Sequence, residues 1–296
     1  MPHNPPSFPD AGVATERLLP PDARFPRALF DLQGNAPAQL WVRGRPETLG
    51  TPALVAMVGT RRATPYGLRV AREMAAAFAR AGACVVSGMA LGIDAAAHRA
   101  ALAAGGSTIA VLGTGLDVTY PPAHRALQRS IAHQGALVTE LDPTVTGRKF
   151  TFPQRNRIIA ALASATIVVE APERSGALIT ASHALDLGRD VAAVPGPIDQ
   201  PASAGCNRLI RDGALLLASV EEALSLVGLT PVPRTPRLDP GSDGARIWEA
   251  LAGGALDMDA LATRAALPAA RCMSAVTTLE LAGAVECSLT GEIRRR

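Results

Sequence analysis

The chain has 296 residues, 48% of them hydrophobic, which suits one large and one small packed domain and excludes global disorder. Its formal net charge of +3 permits a polyanionic partner without requiring one. The four cysteines are far apart with no CxxC spacing, no apolar run reaches membrane-spanning length, and MPHNPPSFPD lacks a basic stretch followed by an apolar one, so the sequence predicts no zinc site, no membrane span and no secretory signal, and a cytoplasmic location.

Residues 1–23, rich in proline and polar side chains, are predicted to be a disordered tail. Residues 23–44 read as an extended lead-in. Six short β-type runs follow: LVAMV (54–58), CVVS (84–87), TIAVL (108–112), ALVTE (136–140), TIVVE (166–170) and VAAVP (191–195). Ala- and Leu-rich helical patterns fall near 65–81, 92–104, 122–134, 154–164 and 177–188. Strands apolar throughout and separated by helices specify a parallel sheet covered on both faces. The prediction is a doubly wound, Rossmann-like α/β domain over residues 24–227.

Residues 228–242 contain four prolines and no apolar period, and read as a linker. Residues 243–296 carry three short helical patterns and then two short β-type runs, AVECS and IRRR. Asp257 suits the N-cap of the second helix and Pro268 the first turn of the third. This is a winged-helix-like pattern. From Gly241 onward six arginines face seven acids, so strong duplex binding is not expected, and a protein-contact or regulatory role fits better.

In open parallel sheets ligands bind beyond the carboxyl ends of the strands. The segments there are VGTRRATPYG, SGMALGID, GTGLDVTYPP and EAPERSGALITA. Gly59, Thr60, Arg61 and Arg62 lie in the first, Ser87 and Gly88 in the second, and Ser175 and Gly176 in the fourth. Together they make a candidate anion-binding edge. Neither a GxGxxG in the first turn nor a GxxxxGK[ST] is present, and HExxH and GxSxG are also absent. Asp94 and His98, four apart, are a candidate pair, against the simpler reading of a helix-start charge and a packing histidine. Glu140 and Glu170 end strands as candidate bases, with no nucleophile near either.

The only lysine, Lys149, falls with Phe150, Phe152, Arg155, Asn156 and Arg157 in the stretch KFTFPQRNR. Cations at a helix entrance oppose the macrodipole, which an anionic ligand would offset. Cations alternating with flat rings suit a single strand, with rings stacking bases and cations holding phosphates. The reading expects Phe150 buried and Phe152 exposed. The alternative is a buried ring and solvated arginines.

The motifs VGTRRATPYG, VVSGMALGIDAAAHRAAL, AVLGTGLDVTYPPAH, FPQRNRIIAAL, VVEAPERSGALITASHALDLGRDVAAVPG and GCNRLIRDGA resemble the DNA-processing protein DprA (Smf) family from about Arg24 to the C-terminus. The resemblance implies a homodimeric, non-enzymatic protein. It would bind single-stranded DNA in a basic pocket and deliver it to the recombinase RecA during natural transformation, with single-strand-binding protein as a further candidate partner. It places DNA contacts on Arg61, Lys149 and Phe152, and the dimer surface around Leu185, Leu209 and Ile210. One departure is Gly176-Ala177, where the family carries Gly-Ser. The competing reading is a Rossmann-like enzyme acting on nucleoside monophosphates, whose PGGxGT-type loop is absent here.

Overall fold

The structure, a computed structural model, describes residues 12–232, 238–288 and 290–295. The chain divides into two units, residues 1–231 and 232–296.

The first unit is built on nine strands: β1 (Thr15–Leu18), β2 (Leu40–Gly44), β3 (Leu54–Gly59), β4 (Cys84–Ser87), β5 (Thr108–Val111), β6 (Ala136–Thr139), β7 (Ala165–Glu170), β8 (Asp190–Ala193) and β9 (Leu215–Leu216). Their order across the sheet is β1-β2-β6-β5-β4-β3-β7-β8-β9. The strands from β6 to β9 pair in parallel, while β2 pairs antiparallel with β6 and β1 antiparallel with β2. Seven helices accompany them: α1 (Pro65–Arg80), α2 (Ile93–Ala103), α3 (Arg125–Gln134), α4 (Thr151–Leu162), α5 (Gly176–Asp186), α6 (Ala204–Arg211) and α7 (Val220–Ser225).

The period of two along β3 divides the core. Leu54, Ala56 and Val58 face the layer that holds α4, α5 and α6. Val55 and Met57 face α1, α2 and α7. Both sides of the strand are therefore apolar, and each fully buried Val, Leu or Ile contributes roughly 1.5–3 kcal/mol. Helix α1 begins where the Thr64 hydroxyl accepts the Gly67 N–H (3.2 Å) and Pro65 presets the first turn. It stops at Gly82, whose φ of 84° an L-residue resists.

Three expectations are corrected. Thr15–Leu18, assigned to the disordered tail, forms β1, because Leu18 is fully buried and pairs opposite Leu40; residues 1–11 lie outside the described residues. Arg27–Asn35, expected to be extended, forms 3₁₀ turns. Helix α4 starts at Thr151, three residues before its predicted start, because a proline within the first turn needs no partner for its nitrogen.

The second unit contains α8 (Asp243–Ala250), α9 (Met258–Ala265), α10 (Ala269–Leu281), β10 (Val285–Cys287) and β11 (Ile293–Arg295), the two strands pairing antiparallel. Ile247, Leu261, Val276, Leu279 and Ile293 share its core. Asp257 Oδ1 caps α9 by accepting the Ala260 N–H (2.7 Å). Pro268 stands at the cap of α10 rather than inside its first turn. Part of the proline-rich stretch, 233–237, lies outside the described residues.

Candidate nucleic-acid interface

The strand order reverses direction at β3, whose neighbours are β4 on one side and β7 on the other. At that switch point the loops diverge and open a crevice. Glu170, at the end of β7, fixes the turn after β3. One carboxylate oxygen accepts the Thr64 N–H (2.8 Å) and the other its hydroxyl (2.5 Å). The Glu170 carbonyl accepts the Thr60 N–H (2.7 Å). Glu170 is buried and fully engaged, which removes it as a candidate base. The clamped turn leaves Arg61 and Arg62 exposed. Thr60 is buried, and its hydroxyl accepts the Arg62 N–H (3.2 Å). A side chain at Gly59 would strike Ile93, so the glycine lets α2 approach the strand end.

The loop after β4 is held from two sides. Asp94 Oδ2 accepts the N–H groups of Gly88 (3.2 Å) and Ala90 (3.3 Å). His124 Nδ1 meets the Met89 carbonyl at 2.9 Å. Ser87 is buried and donates to the Met57 carbonyl (2.6 Å), so its hydroxyl ties β4 to β3 rather than facing a phosphate. Asp94 and His98 are not a pair. His98 bonds Thr108 (2.7 Å), which itself donates to the Val85 carbonyl (2.6 Å), so Nδ1 carries the proton.

The cations of the KFTFPQRNR stretch separate into two kinds. Arg155 and Arg157 are buried, contrary to the expected phosphate contacts, because protein acceptors engage them. Arg155 donates to the carbonyls of Gly88 (2.8 Å) and Val111 and to Asn156 Oδ1 (3.0 Å). Burial pulls its guanidinium down to about 10, so it stays charged near neutral pH. Burial likewise lifts the Asp94 carboxyl above the usual range, against the opposing pull of the Arg155 charge. Arg157 grips Glu140 through both carboxylate oxygens, at 2.7 Å each. Asn156 is also buried and donates to the Gly176 carbonyl (3.2 Å). Lys149 is exposed in the turn before α4. Among the described residues Arg61, Arg62 and Lys149 form no ion pair.

The rings are reversed from expectation. Phe150 is 59% exposed, whereas Phe152 is half-buried. The first turn of α4 swings Phe152 inward, into a slot that Gly113 and Gly147 leave open; a Cβ on either would lie 2.7–2.8 Å from the ring. The Thr151 hydroxyl fixes that turn by donating to the Gly113 carbonyl (2.7 Å). Tyr120 packs on Phe152 with centroids 4.8 Å apart, and the Arg61 guanidinium lies 6.0 Å from the same ring.

Phe152, Arg61 and Arg155 line two clefts. The first, about 430 Å³, is walled by Leu91, Leu112, Gly113 and Tyr120. The second, about 450 Å³, is walled by Gly59, Asp94, Asn156, Gly176 and Thr180. Ser175 lies at the start of α5, where its hydroxyl accepts the Ala177 N–H (3.3 Å). Tyr120, Leu91 and Thr180 were not singled out from the sequence. All three lie in the strand-end segments GTGLDVTYPP, SGMALGID and EAPERSGALITA, but nothing in those segments distinguished them from their neighbours.

Two family models cover this architecture. DNA recombination-mediator protein A matches residues 16–228, and the DprA winged helix domain matches residues 231–288. The chain belongs to the DprA family. Protein Smf of Escherichia coli is 38% identical over 290 residues, covering 94% of this chain and 77% of its own length. DNA processing protein DprA of Streptococcus pneumoniae is 44% identical over 191 residues, 64% of this chain and 67% of its own. The crystal structure of the pneumococcal DprA superposes with a TM-score of 0.68 at 42% identity, covering 71% of this chain and 73% of that one. A Helicobacter pylori DprA structure, reported for its single-stranded DNA binding mode, superposes with a TM-score of 0.66 at 29% identity, covering 73% and 95%.

Arg271, the one cation of α10, is held by both oxygens of Asp243 (2.8 and 2.6 Å). No helix among the described residues is long and apolar enough to cross a membrane, and no cluster among them has the ligands for a metal ion.

Proposed function

We propose that the protein binds single-stranded DNA at the β3–β5 edge of its sheet and acts as a non-enzymatic recombination mediator that loads RecA onto the strand. The observation that carries this reading is Arg61, exposed, without an ion pair among the described residues and 6.0 Å from the Phe152 ring that Tyr120 packs on; Arg62, next in the same turn, and Lys149, three residues before Phe152 in the chain, are likewise exposed and outside any ion pair among the described residues. Cations without protein partners suit phosphates, and rings beside them suit bases. The Helicobacter relative supports the same ligand. Gly59, Thr60, Gly88, Ser175 and Gly176 shape the walls or their entrances, while Ser87, Arg155, Asn156 and Arg157 hold those walls in place.

Delivery to RecA and a partnership with single-strand-binding protein rest on the family, and a cytoplasmic location on the sequence reading. Self-association into a homodimer would use Leu185, which is 56% exposed on α5. Leu209 and Ile210 pack partly against the core and are secondary to it.

The test is a salt series of single-strand affinity. Neutralising three or four phosphates per subunit gives a log–log slope of about −2 to −3, at ~0.7 per phosphate. A slope near zero removes the basic edge as the binding surface.

A further inference from the structure

The charge of the chain is not spread evenly. Residues 60–135 carry eight arginines against three acids, a net +5, while residues 136–231 carry eight cations against ten acids. The excess in the first stretch is larger than the +3 of the whole chain. That stretch supplies α1, α2 and α3, which lie on one face of the sheet with α2 between the other two. Its acids are all engaged. Asp94 is buried in the first turn of α2, Asp117 pairs with Arg43 (2.6 Å), and Glu73 pairs with Arg69 (3.4 Å). Arg72 on α1 and Arg99 on α2 are exposed, and Arg125 on α3 is half-buried. None of these three side chains has an ion pair or hydrogen bond among the described residues.

This face begins where the candidate interface ends. The turn with Arg61 and Arg62 runs into α1, the loop with Leu91 into α2, and the loop with Tyr120 toward α3. Beyond those entrances the surface changes character. Of the two rings on α1, Tyr66 lies in the first turn with its hydroxyl on the Pro195 carbonyl (2.9 Å), and Phe78 is fully buried. Neither α2 nor α3 contains a phenylalanine, tyrosine or tryptophan. The side chains around the arginines are short, with Ala76, Ala100, Ala103, Ala126 and Ser130 reaching the surface. Glu221 and Glu222 of α7, which packs on α1, bound the face on that side.

A single strand is held by cations and stacking rings together, and on this face the rings are missing. A duplex keeps its bases stacked inside and offers its phosphates outward, where cations standing among short side chains can meet them. We infer that the outer face of α1, α2 and α3 binds the phosphate backbone of duplex DNA, so that the protein grips a junction, with single strand at the edge and the adjoining duplex over the helices. The junction rests on the single-strand reading above, whereas the duplex face stands on its own charge and composition.

The test uses the full chain and three labelled probes: oligo(dT), a blunt duplex, and the same duplex carrying the oligo(dT) as a tail. Affinities are read by fluorescence anisotropy across a salt series. The wild type should bind the tailed duplex more tightly than oligo(dT), with a log–log slope steeper by about 2–3, at ~0.9 for each of three added phosphate contacts. A fourfold rise in salt then costs the tailed duplex roughly fortyfold more affinity than it costs oligo(dT). Arg72→Gln/Arg99→Gln/Arg125→Gln should melt and bind oligo(dT) as the wild type does, yet lose the added affinity and the added slope. Arg72→Lys/Arg99→Lys/Arg125→Lys should keep both. A wild type that binds the tailed duplex no better than oligo(dT), at equal slope, overturns the duplex face and leaves the single-strand reading intact. So does an advantage that the neutral variant retains. A neutral variant that loses oligo(dT) as much as the duplex assigns the face to the single strand and overturns the duplex. No binding of oligo(dT) by the wild type overturns the single-strand reading instead; the face is then decided by the blunt duplex, which the wild type should bind and the neutral variant release.

Discussion

Glu140, just past the end of β6, and Arg157, on α4, join through two parallel bonds, Nη1 to Oε1 and Nη2 to Oε2, each 2.7 Å. Arg157 also donates to the carbonyls of Asn35 (2.9 Å) and Gln154 (2.9 Å). The pair therefore ties the strand end to the helix that carries Phe152. Arg157→Ala leaves a mostly buried carboxylate without its partner and should lower unfolding free energy by about 3 kcal/mol in urea titrations. The double variant Glu140→Leu/Arg157→Met should recover part of that loss. An unchanged midpoint for Arg157→Ala contradicts the structural role.

Phe152 and Phe150 should part company in paired binding and melting assays. Phe152→Ala removes a ring half-packed against Tyr120 and should cost ~1–3 kcal/mol of single-strand affinity. It should also lower stability by about 2 kcal/mol, roughly half the cost for a fully buried ring. Phe150→Ala, at a ring 59% exposed, should leave the melting temperature unchanged. Wild-type affinity in a folded Phe152→Ala protein takes the ring out of the interface.

Arg61 lies in the clamped turn and beside the Phe152 ring. Arg61→Ala should weaken binding to all single strands alike and flatten the salt slope by about 0.7 for one lost phosphate contact. Lys149→Ala should act in the same way. A loss confined to one base composition assigns these side chains to bases instead.

Leu185→Arg places a charge on an exposed position and should give a folded monomer by light scattering. Leu209→Arg should instead lower the melting temperature, because Leu209 packs on the core around α5. A dimer that survives Leu185→Arg moves the interface elsewhere.

His98 makes stability depend on pH. Burial, with Arg155, His124 and Arg99 nearby, pulls its pKa down to about 3 from 6.5. The unfolded chain therefore takes up a proton below pH 6.5 that the folded chain refuses. The stabilisation is complete above that pH and falls on acidification, by about 2 kcal/mol at pH 5. Melting between pH 7 and pH 5 should show a larger drop in the wild type than in His98→Leu. Equal drops place the titration elsewhere.

The parallel strands β3 to β8 were legible because each reads apolar on both faces, and the helices between them because alanine and leucine recur at helical spacing; β9, a two-residue strand of exposed leucines, was not. Thr15–Leu18 was not, since four residues among prolines carry no period; only the partner strand at Leu40–Gly44 gives them a reason to be extended. At the site, composition marked the crowding of cations and rings near Lys149, and the loops after the strands marked Arg61. The direction of each side chain was beyond that reading. Arg155 and Arg157 are as cationic in sequence as Arg61, yet carbonyls and a carboxylate distant in the chain turn them inward. Phe152 became the inner ring because glycines at 113 and 147 leave it space, one of them 39 residues upstream.

Lys149, exposed in the turn before α4, carries the only ε-amino group in the chain. An acylating reagent directed at primary amines therefore meets one internal target, and that target stands at the mouth of the candidate interface. Modification there turns a cation into a neutral amide without touching the fold's buried charges. The molecule thus carries a built-in chemical reporter, whose shielding by a bound strand is readable by mass spectrometry of the intact protein with no engineered residue.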